Sequence, residues 1–212
     1  MIDREQFIST LVDDVQAVKF TKIRQTTLIW LVGTFIFAAL VAYLTGPYRS
    51  GIGHELLSSP QFLSESLIGV VSVMFLVYTA FDLSIPSSRP IAQRLAWPLI
   101  LLAIWVSFYL FGLIQPALEP SMAGKREFCY YQTFMYSLPP LLVALFWSRK
   151  QWPLYSKSTG LLLGLAAGAV PALVMQFACM YDPHHILMQH ILPGLSVGLV
   201  GVFMGAVMLR TR

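Results

Sequence analysis

The sequence predicts an all-α membrane protein, a six-helix transmembrane bundle preceded by a cytoplasmic N-terminal amphipathic helix. Three observations predict it. Apolar residues make up 57% of the 212-residue chain and charged residues 11%, against about a quarter charged in ordinary soluble domains. Six apolar stretches, at 26–45, 62–83, 94–114, 129–147, 159–180 and 187–208, approach the ~20 residues that cross a hydrocarbon core. The ten-residue alternation of a membrane β-barrel is absent. The expected organisation is an N-terminal segment, 1–25, and a bundle, 26–212.

The first element is "DREQFISTLVDDVQAVKF", residues 3–20. Phe7, Leu11, Val15 and Val18 recur at helical spacing, with Ile8 and Val12 widening the stripe. Asp3 with Gln6 resembles a capping box. Acids (Asp3, Glu5, Asp13, Asp14) precede bases (Lys19, Lys22, Arg24), the order that suits the helix dipole. Helices lying on lipid carry Lys and Arg on their polar face. The acidic first half here favours docking to a protein. No cleavable signal is expected, because a polar, charged segment rather than a short basic region opens the chain.

In the second span, "SPQFLSESLIGVV" carries Glu65, expected near enough to the outer interface to be solvated, and Asp82 is a boundary residue at the other end. The last three spans contain Pro139 and Pro140, Pro171, and Pro193, each removing a backbone hydrogen bond. The fifth also has Gly160, Gly164 and Gly168 at four-residue spacing. The sixth pairs Gly194 with Gly198 and Gly201 with Gly205. Small residues so spaced let helices approach closely in lipid, so these two spans should pack tightly.

Eleven of the 14 Lys and Arg residues fall on one side of this topology, leaving Arg49, Lys125 and Arg126 on the other. Basic residues concentrate in short cytoplasmic loops. Both termini are therefore expected in the cytoplasm, with loops near residues 50, 122 and 183 outside. No basic, aromatic-interleaved stripe points to direct nucleic-acid binding. No inverted repeat, phosphate loop, HExxH motif or nucleophile–base pair marks a transporter or an enzyme.

The outer side gathers the soft ligands. "FACMYDPHHILMQH", residues 177–190, holds Cys179, Met180, Asp182, His184, His185 and His190, and Cys129 opens the fourth span on the same side. Thiolates and thioethers suit Cu(I), and imidazole suits copper and zinc. Cys129, Cys179, Met180, His184, His185 and His190 are the candidate ligands for a copper or zinc ion, with Met122 and Glu127 near in sequence. Two thiols outside the inner membrane also form disulfides, so a static bridge and a redox centre stand beside the metal reading.

This order of features resembles the NrsF-like six-span anti-sigma factors, which hold an extracytoplasmic-function (ECF) sigma factor inactive at the bacterial inner membrane. "FISTLVDDVQAVKF" is similar to the family's N-terminal segment. "SPQFLSESLIGVVSVMFLVYTAFDLSIP" is similar to its second-helix block, with Pro60, Glu65 and Pro86 in place. "FCYYQTFMYSLPPLLVALFWSRK" and "GLLLGLAAGAVPALVMQFACMYD" resemble its two cysteine-bearing helices. One departure stands out: Gln189–His190 replaces the family's aromatic pair. The resemblance implies that Phe7, Leu11, Asp13, Asp14, Val15 and Val18 bind the sigma factor, and that Cys129 and Cys179 receive the signal. A small multispan metal transporter or membrane redox protein is the alternative from another class, and a structural membrane subunit the third.

Overall fold

The computed structural model describes residues 3–13, 22–87 and 89–210, and the regular elements among those residues are helices, with no strand. In chain order the elements are α1 (Arg4–Asp13), α2 (Ile23–Thr45), α3 (Ile52–Ser58), α4 (Pro60–Leu83), α5 (Ile91–Gly112), α6 (Cys129–Arg149), α7 (Ser156–Ala178), α8 (Pro183–Ile186), a π turn (Leu187–Ile191) and α9 (Leu192–Met208). Five helices are long and apolar enough to cross a membrane: α2, α4, α5, α7 and the continuous stretch Pro183–Met208. Where a sixth span was expected stands α6, of similar length but not among these five. Its tyrosines, Gln132, Ser137 and paired prolines make it more polar than the other five.

Local chemistry sets several boundaries that differ from the apolar runs. α4 starts at Pro60 because Ser59 caps it, accepting from the Phe62 N–H at 3.2 Å, with proline in the first turn. The last helix starts at Pro183, earlier than expected, for the same reason: Asp182 accepts from the His184 N–H at 3.1 Å. His184 and His185 therefore lie on a helix, where a tight loop was expected. Pro98 lies inside α5, a fourth helix with an internal proline. The N-terminal helix is seen as α1; Asp14, Val15 and Val18 lie outside the described residues.

The long helices run alternately between two ends of the bundle. At one end, the Arg49 N–H donates to Ala178 O (3.0 Å) and the Ser121 N–H to Tyr181 O (3.0 Å). At the other, Ser84 and Ser148 hydroxyls meet at 2.8 Å, and Thr159 donates to Leu83 O. Asp82 there pairs with Arg94 at 2.8 Å and Arg89 at 3.3 Å, fastening the end of α4 to the start of α5. α6 runs from the first end, where Cys129 sits, to the second, where Ser148 sits.

α7 is the buried axis, with leucine, alanine, glycine and valine buried on every face. Its glycine face meets α9 without space for a methyl group. A Cβ on Gly160 would lie 2.1 Å from Gly201 O, on Gly164 2.4 Å from Val197 O, and on Gly168 2.1 Å from Gly194 O. Backbone against backbone is the tight packing expected of these two spans. Gly33 on α2, by contrast, has nothing within 4 Å of an added Cβ. Gly164→Ala should therefore lower thermal stability in detergent by an overpacking cost of about 1–3 kcal/mol. Gly33→Ala should be neutral or stabilising, by up to about 1 kcal/mol. Similar effects from both would contradict the seam.

Candidate functional site

Four side chains from separate elements converge at the first end of the bundle. Cys129 is the first residue of α6, and Cys179 caps α7 in extended backbone, its N–H bonded to Met175 O at 2.8 Å. Their sulfurs lie 3.1 Å apart and both thiols are free. His185 comes from α8, with Nε2 3.4 Å from Cys179 Sγ. His190 comes from the π turn, fully buried. One ligand atom from each of the four lies within 4.8 Å of the other three.

The backbone explains how two histidines five residues apart reach one place. At 100° per residue an α-helix would set them about 140° apart. The π turn, bonded i→i+5, narrows that angle, and the two rings stand 5.1 Å apart edge to face. Pro193 supplies the cause. Lacking an N–H, it leaves Gln189 O without its helical donor, and the Thr133 hydroxyl of α6 donates to that carbonyl at 3.3 Å. Thr133 also donates to Cys129 O at 2.9 Å, tying the start of α6 to the π turn. Sequence reading passed over Thr133; a threonine four residues after the cysteine was its one signal.

The arrangement suits a soft or borderline metal ion. Both ring nitrogens of His190 lack a hydrogen-bond partner among the described residues, and an unsatisfied buried polar group costs about 1–3 kcal/mol. A bound ion would remove that cost at Nδ1 or Nε2. Thiolate is the metal-binding form of cysteine, and both cysteines are free of a disulfide. Two thiol and two imidazole donors match the tetrahedral preference of zinc.

The remaining sequence candidates part company here. Met180 is buried in the small apolar cluster that holds both cysteines. His184 is exposed and stands outside the group of four, as do exposed Glu127 and Met122 and the capping carboxylate of Asp182. α1 carries Phe7, Leu11 and Asp13. Its Ile8 and Val12 side chains are exposed.

α2 touches the site directly. Ala38 and Ala42 pack in the same cluster as Cys129 and Cys179. Arg126, three residues before Cys129, is buried and donates to the carbonyls of Ala42 (2.8 Å), Gly46 (3.2 Å) and Pro47 (2.8 Å) at the end of α2. Arg49 is buried too, paired with Glu55 at 3.1 Å beneath the rings of Phe62 and Tyr181.

Glu65 corrects an expectation. It is fully buried, not solvated. The Tyr181 hydroxyl donates to its Oε2 at 3.2 Å, and Gln61 Nε2 lies 3.5 Å from Oε1. The same Tyr181 oxygen accepts from the Ala117 N–H at 3.0 Å. Tyr181 follows Cys179 by two residues, so this network couples the cysteine loop to α4.

Fold and site together define a multi-helix protein compatible with a membrane, carrying a buried thiol–imidazole group at one end of its bundle. The NrsF family, negative regulator of sigma F, matches residues 11–210, and the chain belongs to that family. Membership makes it a negative regulator with a sigma factor as its class of partner. No curated protein and no solved structure matches it.

Tyr181→Phe should cost about 1–3 kcal/mol in detergent unfolding by stranding the Glu65 carboxylate. In Glu65→Leu the same tyrosine change should cost clearly less, an interaction seen as non-additivity in the double-mutant cycle. Additive losses would show that the two groups are not coupled.

Proposed function

We propose that the chain is an inner-membrane anti-sigma factor that holds an ECF sigma factor through residues 1–25 and releases it when a metal ion binds the outer thiol–imidazole site. One observation carries the reading. The helix whose residues Ala38 and Ala42 pack against the cysteines is the helix whose other end leads to α1. α2 has 23 residues and so spans about 33 Å, enough to link events on opposite faces of a bilayer. A change in spacing at Cys129 and Cys179 acts on α2 through the packed alanines and through Arg126.

Six crossings complete this picture. α6 runs the height of the bundle and is read as the sixth span, with its Thr133, Tyr136 and Ser137 buried against the rest of the bundle. Both termini then lie in the cytoplasm with the eleven basic residues, and Cys129, Cys179, His185 and His190 face the periplasm. The ligands are Cys129, Cys179, His185 and His190, for copper(I) or zinc; Met180 lies against them, and His184 is free to face solvent. On α1, Phe7 and Leu11 anchor the sigma factor together with Val15 and Val18, while Asp13 and Asp14 meet its basic groups. The exposure of Ile8 and Val12 supports an apolar partner for this helix.

The 3.1 Å sulfur separation favours oxidation as a second route. Each thiol loses a proton, two electrons pass to the oxidant, and a disulfide replaces the pair.

Leu11→Ala should weaken sigma-factor co-purification by about 2 kcal/mol or more, as desolvated anchors do, while Asp3→Ala has little effect. Equal, negligible effects in protein that remains in the membrane would exclude α1 as the docking element. Titration of the purified chain with zinc or copper(I) should show one tight site. Cys129→Ser, Cys179→Ser and His190→Ala should abolish or weaken it about tenfold or more, in line with ligand loss, and His184→Ala should leave it intact. In cells the serine variants should keep the sigma factor bound when metal or oxidant is added. Release that persists in either variant would place the signal elsewhere.

A further inference from the structure

At the bundle end opposite the cysteines, α6 and α9 finish side by side around a cavity of about 1130 Å³. Arg149, Lys150 and Arg210 line it, with Phe146, Trp152 and Val207 among its apolar walls, and no acidic residue lines it. None of the three cations forms an ion pair among the described residues. Phe146 and Val207 are more than half exposed, so an apolar flank runs away from the cationic rim along both helices. Trp152 lies beside the rim, 65% exposed, and has a φ of +55°, the one non-glycine residue in the left-handed region among the described residues. Such backbone costs of order 1–3 kcal/mol and clusters at ligand sites.

We propose that this cavity binds the phosphate headgroup of an anionic phospholipid, its acyl chains lying along Phe146 and Val207. Cations at helix ends are accounted for singly by the helix dipole. The dipole does not account for three of them sharing one cavity with an exposed, strained tryptophan. Basic pockets between membrane helices suit acidic headgroups, each Lys or Arg contributing about 1 kcal/mol near the surface, and tryptophan favours the headgroup level. A lipid with two phosphates, such as cardiolipin, matches three cations better than one with a single phosphate. The site rests on the bundle lying in a bilayer and is independent of the cysteine site.

The test uses the full chain, purified in a neutral detergent and titrated with cardiolipin, phosphatidylglycerol or phosphatidylcholine, with bound lipid counted by native mass spectrometry. Cardiolipin should bind most tightly and phosphatidylcholine least. The Arg149→Gln/Lys150→Gln/Arg210→Gln triple variant should bind cardiolipin about 100-fold more weakly. Arg4→Gln/Lys22→Gln/Arg24→Gln, which removes the same charge elsewhere, should bind it as the native chain does. Equal loss in both triple variants, or equal affinity for phosphatidylcholine, overturns the proposal. So does displacement of the lipid by millimolar inorganic phosphate, which would make the ligand the free ion. Membrane pelleting of all variants reports separately on membrane residence.

Discussion

The backbone contact between α7 and α9 is the constraint on which the rest depends. Glycines at four-residue spacing let two helices touch through Gly160, Gly164, Gly168, Gly194 and Gly201 with no side chain between them. In lipid no hydrophobic force draws helices together, so close van der Waals packing must do it. Because α7 and α9 are held this near, the loop from Cys179 to Asp182 can be short, and His190 arrives beside the thiol that ends α7. The seam thus holds three of the four site groups in place, and α6 adds the fourth by packing against both helices.

The site is a place where regular helix geometry gives way. Pro193 removes one hydrogen bond, the π turn absorbs the change, and Thr133 occupies the freed carbonyl. These deviations turn His185 and His190 toward one another and toward Cys179. The result is a buried imidazole without a hydrogen-bond partner among the described residues, next to two free cysteines. That is costly in a static core and fits a ligand site, where an ion would supply the missing interaction.

The site is tied to two further helices. Ala38 and Ala42 put α2 against the sulfurs, and Arg126 grips the end of the same helix through three carbonyls. Tyr181 and Glu65 make a second tie, to α4. Where the sequence showed cysteines on two helices, packing makes a third, α2, a wall of the site.

Much was legible in the residues alone. Apolar run length marked each membrane-compatible helix, because hydrocarbon thickness sets a length and backbone bonding sets a helix. The glycine spacing announced the α7–α9 contact, and the run from Cys179 to His190 held three of the four side chains that gather with Cys129. Tertiary structure decided the remainder: that His190 enters the site and His184 does not, that Glu65, Arg49 and Arg126 are buried with partners, and that α2 lines the cysteines. The reason is physical. Run length and spacing are properties of one helix, whereas the placing of His190 rather than His184 beside the cysteines turns on a π turn, and burial of Glu65 turns on Tyr181 arriving from 116 residues away.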